Sequence, residues 1–282
     1  MSAAPLAASA PLRNRSQDAT FLCYHSVHPD GPPFLTLSPE TFERQLALLR
    51  RRGYRCGGVR ELAALAAGER PPAPQVFLTF DDGFQDNFSH AFPLLRAYGA
   101  TALVFLLPPA VDDGGPLDWP EVRERRERHP DVFRSLTWSM VDAMAEGGVE
   151  FGSHTCAHHD LTALDDEALA EELLQSRRRI ADRLGACDTL AYPFGHWDAR
   201  VAGAAAAAGY RWAFTMPAAA QRGATPLSIP RIAIDQRDDE RRFALKLTPA
   251  GRRLLLSPAK QRLRAGRTLV RQMVGRTRLV AR

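Results

Sequence analysis

The stretch Gln75-Val76-Phe77-Leu78-Thr79-Phe80-Asp81-Asp82-Gly83 decides the fold. Its first six residues are apolar and β-prone, so they read as a buried strand. The strand ends on two carboxylates, and the carboxyl ends of strands are where parallel α/β architectures place their chemistry. Further on, Val149-Glu150-Phe151-Gly152-Ser153 repeats the arrangement and delivers His154 at a strand end, within His154-Thr155-Cys156-Ala157-His158. One carboxylate and two imidazoles suit a borderline divalent ion such as zinc, and three protein ligands leave a coordination position open for water or substrate. The ligand set is then Asp82, His154 and His158, with His159 a rival through its neighbouring position. The adjacent Asp81 is free to take a proton from water whose pKa the ion lowers.

Working outward, strands alternate with helical runs. A first strand spans 21–25, and Ser38-Pro39-Glu40 opens a helix with a cap, a proline at the first helical position and an early acid. Phe42, Leu46 and Leu49 recur at helical spacing until Gly53 stops the run. Strand 75–80 follows, then a helix ending near Gly99, strand 101–107, a helix through Met140 and Met144, and strand 149–153. The long helix from Asp165 to Leu184 is closed by Gly185. Strand 189–192, the alanine-rich helix 199–208, and strands 212–216 and 229–234 complete the series. Strands separated by helices imply parallel βαβ units. A chain of 282 residues that is 45% hydrophobic has the length and apolar content for one large core.

These motifs, taken in order, resemble those of the polysaccharide deacetylases of the NodB-homology type, carbohydrate esterase family 4, over residues 20 to 235. In that family the first aspartate of Thr79–Gly83 is the base and the second a metal ligand, and Ser153–His158 matches the segment that supplies two histidine ligands. Tyr192-Pro193-Phe194-Gly195 is similar to the family's Arg-x-Pro-x-Gly loop, and Pro230-Arg231-Ile232 to a closing strand. The resemblance implies an irregular (β/α) barrel and metal-dependent removal of N-acetyl groups from the amino sugars of a polysaccharide or oligosaccharide. It implies a divalent cofactor, zinc first, with cobalt or nickel as alternatives, and a role for the Phe194 backbone N–H in holding the oxyanion.

Two departures stand out. Ala191 occupies the place of the arginine that orients the base, and His196 is the last histidine, so the C-terminal Leu-x-His that supplies the acid has no match. Cys23-Tyr24-His25-Ser26-Val27 resembles the early Tyr-His strand of a permuted subgroup whose histidine lies in the active site, which makes His25 the candidate acid. Arg231 is the candidate to stand in for the missing arginine. Tyr192, Trp138 and Trp197 are candidate sugar-binding aromatics.

The segment 108–135 interrupts the alternation with Pro108-Pro109, Asp112-Asp113-Gly114-Gly115-Pro116 and a charged run from Glu121 to His129. It reads as a long loop with little structure, placed after a strand where Trp119 could meet substrate. Charge is uneven too. From Arg241 onward there are 13 Lys or Arg and no acid, although the whole chain carries only +5. The expected organisation is thus an N-terminal extension (1–19), a catalytic domain (20–240) and a basic, partly helical tail (241–282).

Such a tail could lie on an anionic membrane, each basic group contributing about 1 kcal/mol near the headgroups. No nucleic-acid fold accompanies it. There is no run of 18 apolar residues, the N-terminus lacks a basic region before its small apolar stretch, and the four cysteines are scattered without a Cys-x-x-Cys pair. A cytoplasmic protein, free or held at the inner membrane face, is the expectation. Three functions compete at this point: a polymer or oligosaccharide deacetylase, a deacylase or deformylase of a lipid-linked sugar, and a sugar-binding homologue without catalysis, for which Ala191 argues.

Overall fold

A computed structural model describes residues 19–217 and 225–257. Most of the expected N-terminal extension and the basic run beyond Ser257, with the membrane association expected of it, lie outside the described residues. The strands are β1 (Ala19–Tyr24), β2 (Ser26–Val27), β3 (Thr36–Leu37), β4 (Arg55–Cys56), β5 (Gln75–Phe80), β6 (Leu103–Leu106), β7 (Glu150–Ser153), β8 (Thr189–Ala191), β9 (Trp212–Thr215), β10 (Ile229–Pro230) and β11 (Ile232–Ala233). The helices are α1 (Pro39–Arg51), α2 (Val59–Ala67), α3 (Phe92–Tyr98), α4 (Pro108–Asp113), α5 (Arg123–Arg128), α6 (Trp138–Glu146), α7 (Asp166–Leu184), α8 (Ala199–Ala207), α9 (Glu240–Leu247) and α10 (Pro249–Leu255).

Where the sequence carries capping chemistry, the helices start and stop on it. The Ser38 hydroxyl accepts the Thr41 N–H at the head of α1, and Asp165 accepts the Ala168 N–H at the head of α7. Gly185 ends α7 at φ 84°, a left-handed conformation that lacks a steric penalty only for glycine.

The main sheet is parallel, in the order β10-β9-β8-β7-β6-β5-β1-β11. The single strand expected at 229–234 is two, because the run changes partner at Arg231: Pro230 pairs with Thr215 of β9, and Ile232 pairs with Leu22 of β1. One stretch of chain therefore joins both ends of the sheet, and the barrel nearly closes at Arg231. Alternate strand residues point inward. Phe105 of β6 and Phe21 of β1 both meet the Phe214 ring of β9, with centroids 5.4 and 5.9 Å apart, and Leu62 and Leu65 of α2 join the same buried cluster. A larger cluster lies between the sheet and the outer helices.

Two expectations need correction. The segment 108–135 is built rather than loose: it holds α4 and α5, is tied by bridges Phe84–Ser135 and Pro116–Arg134, and buries Leu117, Trp119, Val122, Val132 and Phe133 against Phe84 and Leu107. Its apolar residues follow neither helical nor strand period, which is why the pattern hid them.

The catalytic domain also does not stop at residue 240. Phe243 and Leu247 of α9 are fully buried in the larger cluster. From α10, the buried Arg252 donates through Nη1 to Thr20 Oγ1 at 2.7 Å and to the Leu247 carbonyl at 2.8 Å. No helix among the described residues is long and apolar enough to cross a membrane.

Candidate active site

Four loops leave the carboxyl ends of the strands on one face of the barrel, and the chemistry-bearing residues stand on them: His25 after β1, Asp81 and Asp82 after β5, His154 and His158 after β7, Phe194 after β8. The four non-glycine residues at positive φ among the described residues are Asp82 (70°), Thr155 (70°), His158 (56°) and Phe194 (58°). Each such conformation costs about 1–3 kcal/mol, and all four sit in this one region. The strain is concentrated where side chains must be aimed.

Asp82, His154 and His158 converge. Asp82 Oδ1 lies 3.2 Å from His154 Nε2 and 3.4 Å from His158 Nε2, and all three residues are buried. His154 Nδ1 lies 2.8 Å from the Ala191 carbonyl, an acceptor only, so Nδ1 carries a proton and the neutral ring has its lone pair on Nε2. Asp82 Oδ1 has no hydrogen-bond partner. Burial raises the Asp82 pKa, but the neighbouring His154, His158 and His25 outweigh it and hold the carboxyl below its ordinary value. His158 is pushed down to about 4, chiefly by burial, and is neutral at ordinary pH. An ionised oxygen and two imidazole nitrogens facing one point, with a buried oxygen otherwise unpaired, fit a divalent cation.

A second group, Cys23, His25 and Asp81, also places its ligand-type atoms within 4.8 Å of one another. It fits a cation less well. Burial lifts the Cys23 thiol pKa, which keeps it protonated, and the Asp81 carboxylate is already taken. Arg231 Nη1 donates to Asp81 Oδ1 at 2.6 Å and Nη2 to Oδ2 at 2.8 Å. Nη1 also reaches Thr79 Oγ1 at 2.9 Å, and the guanidinium lies over the rings of Phe105 and Phe214, 5.5 and 5.8 Å from their centroids. Burial would raise the Asp81 pKa; the Arg231 charge and its paired bonds overcome that and hold the carboxyl well below the usual carboxylate range.

The loop carrying the two histidines is held from behind by α7. Glu172 Oε2 accepts the N–H groups of Cys156 and Ala157 at 2.8 and 3.2 Å, and Ser153 Oγ accepts that of Thr155 at 3.0 Å. These bonds oppose the strain at Thr155 and His158. The His158 ring is enclosed on its sides: the Trp119 indole stacks on it at 4.3 Å, and the Phe194 ring meets it edge-on at 4.7 Å.

The sequence model described as "Polysaccharide deacetylase" matches residues 68–213, more than half of the chain and the stretch carrying the ligand cluster and Asp81. The chain belongs to the polysaccharide deacetylase family. Members of this family are hydrolases of carbon–nitrogen bonds other than peptide bonds. The chain is 26% identical over 216 residues to YxkH of Bacillus subtilis (strain 168), whose name places it among the polysaccharide deacetylases; the match covers 76% of this chain and 70% of that protein. It is 28% identical over 144 residues to the poly-beta-1,6-N-acetyl-D-glucosamine N-deacetylase of Escherichia coli (strain K12), covering 49% of this chain and 20% of that protein. In fold it is similar to the Streptococcus pyogenes deacetylase PplD solved in complex with acetate, with a TM-score of 0.71 at 24% identity, over 85% of this chain and all of that one.

Within this deacetylase, the residues singled out from sequence separate into two groups. Asp81, Asp82, His154 and His158 are assembled. His25 joins them, partly exposed, with a ring nitrogen within 4.8 Å of Asp81. The Phe194 amide is the first N–H of a short 3₁₀ turn, since Pro193 has none, and the turn's own bonds come from Gly195 and His196. Gly195 must be glycine there: a Cβ would stand 2.4 Å from the Met216 nitrogen, and its φ is 71°.

Of the three candidate sugar-binding aromatics, Tyr192 is corrected by its burial. Tyr192 is fully buried with its hydroxyl on the Leu227 carbonyl, Trp197 stacks on Tyr192, and Trp138 Nε1 donates to Asp112; their recorded ring and hydrogen-bond contacts do not include the ligand cluster. Tyr192 is a packing residue, and Trp138 and Trp197 are half-buried against the core. The aromatic groups against the site are Trp119 and Phe194, the latter 39% exposed. His159 turns towards Glu172, 3.7 Å away, and is not a rival ligand.

Proposed function

We propose that this deacetylase removes N-acetyl groups from amino sugars of a polysaccharide or oligosaccharide, using one divalent ion, zinc, held by Asp82, His154 and His158. The observation that carries the reading is the convergence of these three electron-pair donors beside an ionised, arginine-paired Asp81. Bound there, a divalent ion supplies polarisation of the acetyl carbonyl and a lowered pKa for the attacking water.

The chain's own residues do the rest. Asp81, kept ionised and fixed in direction by Arg231, accepts the proton of the attacking water. The Phe194 N–H would donate to the substrate oxygen as that oxygen gains charge. His25, with a ring nitrogen within 4.8 Å of Asp81, gives a proton to the departing amine nitrogen, so that acetate and a free amino sugar leave. Ala191 was the main argument for a homologue without catalysis. Arg231 answers it, because the guanidinium arrives from the barrel seam instead of from β8.

The test is acetate release from N-acetylated oligosaccharides, free and lipid-linked, before and after chelation. Activity should disappear with a chelator and return with zinc or cobalt. Acetate release that survives complete metal removal would sink the reading, and release from the lipid-linked substrate alone would move it to a lipid-linked sugar.

A further inference from the structure

His25 stands between β1 and β2, and β2 is only two residues long, paired to an equally short β3. Such a pairing leaves a side chain poorly directed. Another group does the directing. Asp86 and Asn87 follow Asp81-Asp82-Gly83 on the same loop, and both are buried. Asp86 Oδ1 accepts the Val27 N–H at 3.0 Å, and Oδ2 accepts the Ser26 hydroxyl at 2.6 Å. Asn87 Nδ2 donates to the His25 carbonyl at 2.8 Å and to Asp86 Oδ1 at 3.1 Å. Both of those partners are acceptors, so the orientation of the Asn87 amide is set by chemistry: its oxygen would be repelled in that place.

Hydrogen bonds thus reach His25, Ser26 and Val27, three consecutive residues, from one dipeptide. A π-helical turn, Asn87–Ala91, begins at that dipeptide and leads into α3. Turns of this kind recur where an element departs from regular geometry to serve a site. On the other side, the Asp81 N–H donates to the Tyr24 carbonyl at 3.0 Å. The loop that carries Asp81 and Asp82 therefore grips the His25 segment from both ends.

We propose that Asp86 and Asn87 are positioning residues that fix His25 relative to Asp81, so that proton acceptance and proton donation are set by one loop. The proposal rests on His25 being the proton donor. Without the grip, the imidazole would be displaced from the leaving nitrogen while the ligand cluster stayed intact.

The test compares two substrates in the metal-loaded enzyme. An N-acetylated chitooligosaccharide loses an amine that must be protonated, whereas an aryl acetate loses a phenolate that need not be. Asn87→Leu keeps the branched shape and removes the donor. Its kcat on the amide should fall by about 100-fold, the scale of a misplacement near 1 Å, with KM within about twofold. Its ester turnover and zinc affinity should match the parent. His25→Ala should show the same pattern, and adding Asn87→Leu to it should cost nothing further, because both changes remove one function.

Should Asn87→Leu fail to fold, Ser26→Ala tests the same grip from the other side, with a smaller loss confined to the amide. A His25→Ala enzyme with normal amide turnover would overturn the proton-donor reading itself. An impaired His25→Ala beside a normal Asn87→Leu, or an Asn87→Leu loss that falls equally on the ester or adds to that of His25→Ala, would overturn the positioning role alone.

Discussion

Arg231, at the seam where the barrel closes, donates through both terminal nitrogens to both oxygens of Asp81, which stands at the end of β5. The pairing links fold and chemistry. The residue at which the last strand changes partner also fixes the carboxylate assigned as the base. A planar fork of this kind cannot be reproduced by a point charge. Arg231→Lys should keep the barrel and its metal affinity yet lose about 100-fold in kcat, from misdirection of Asp81. Kinetics alongside zinc titration check this; unchanged kcat would show that Asp81 needs no such orientation.

The same pair carries a pH signature. In the folded protein the Asp81 carboxyl lies below its ordinary value, so the pair stabilises the fold above the ordinary carboxylate range and loses that contribution as pH falls through and beneath it. In Arg231→Met burial is opposed only by the His154 and His25 imidazoles, and the Asp81 pKa rises relative to the parent. That variant should be less stable than the parent by about 3–5 kcal/mol at pH 7, a difference that shrinks towards pH 5 as the stranded carboxylate takes a proton. Urea melts at the two pH values measure it. A penalty that is constant with pH would mean that the loss is one of packing.

Metal content should separate the two neighbouring aspartates. His154→Ala, His158→Ala and Asp82→Ala should each lose stoichiometric zinc, since each removes one of three donors. Asp81→Asn, paired with Arg231 rather than with the imidazoles, should keep the metal and lose about 10²–10⁴ in turnover. Elemental analysis of dialysed protein decides it, and full zinc in either histidine variant would refute the ligand assignment.

The strained histidine loop should depend on a residue that touches neither metal nor substrate. Glu172→Ala leaves two backbone N–H groups without their acceptor and should weaken zinc binding by about 10- to 100-fold, the usual effect of losing an outer partner. Glu172→Gln retains an acceptor oxygen and should recover most of it. Equal zinc affinity in all three proteins, measured by competition with a chromophoric chelator, would show that the loop holds its shape unaided.

How much of this was legible beforehand follows the range of the interaction. The ends of β5 and β7, the cap at Ser38 and the stop at Gly185 are written in adjacent residues, and so were readable. Asp82, His154 and His158 were readable because each stands at or just beyond a strand end. Arg231 could be picked out only by resemblance, because nothing local to Pro230-Arg231-Ile232 shows that the strand changes partner there. Glu172, Asp86 and Asn87 act on backbone groups far away in sequence, a relation without a local pattern. Tyr192 misled for the opposite reason: an aromatic side chain near a motif does not reveal which face it takes, and the hydroxyl of Tyr192 had a buried carbonyl to satisfy.

The C-terminal boundary gives the last prediction. The basic run begins at Arg241, but charge is a poor guide to where the fold ends, since α9 sets Phe243 and Leu247 into the core and α10 sends Arg252 back to Thr20 of β1. A chain ending after Ser257 should therefore keep its melting temperature and its activity on a soluble acetylated sugar. A chain ending at Asp239 exposes the surface that those side chains cover, a loss of about 1.5–3 kcal/mol for each of Phe243 and Leu247 alone, and should be largely unfolded. Phe243→Ala in the full chain isolates the packing contribution and should cost about 3–5 kcal/mol. Thermal and urea melts of the three proteins make the comparison. A stable, active chain ending at Asp239 would show that α9 and α10 are dispensable, and a chain ending after Ser257 that unfolds would place part of the fold's support in the basic run beyond it.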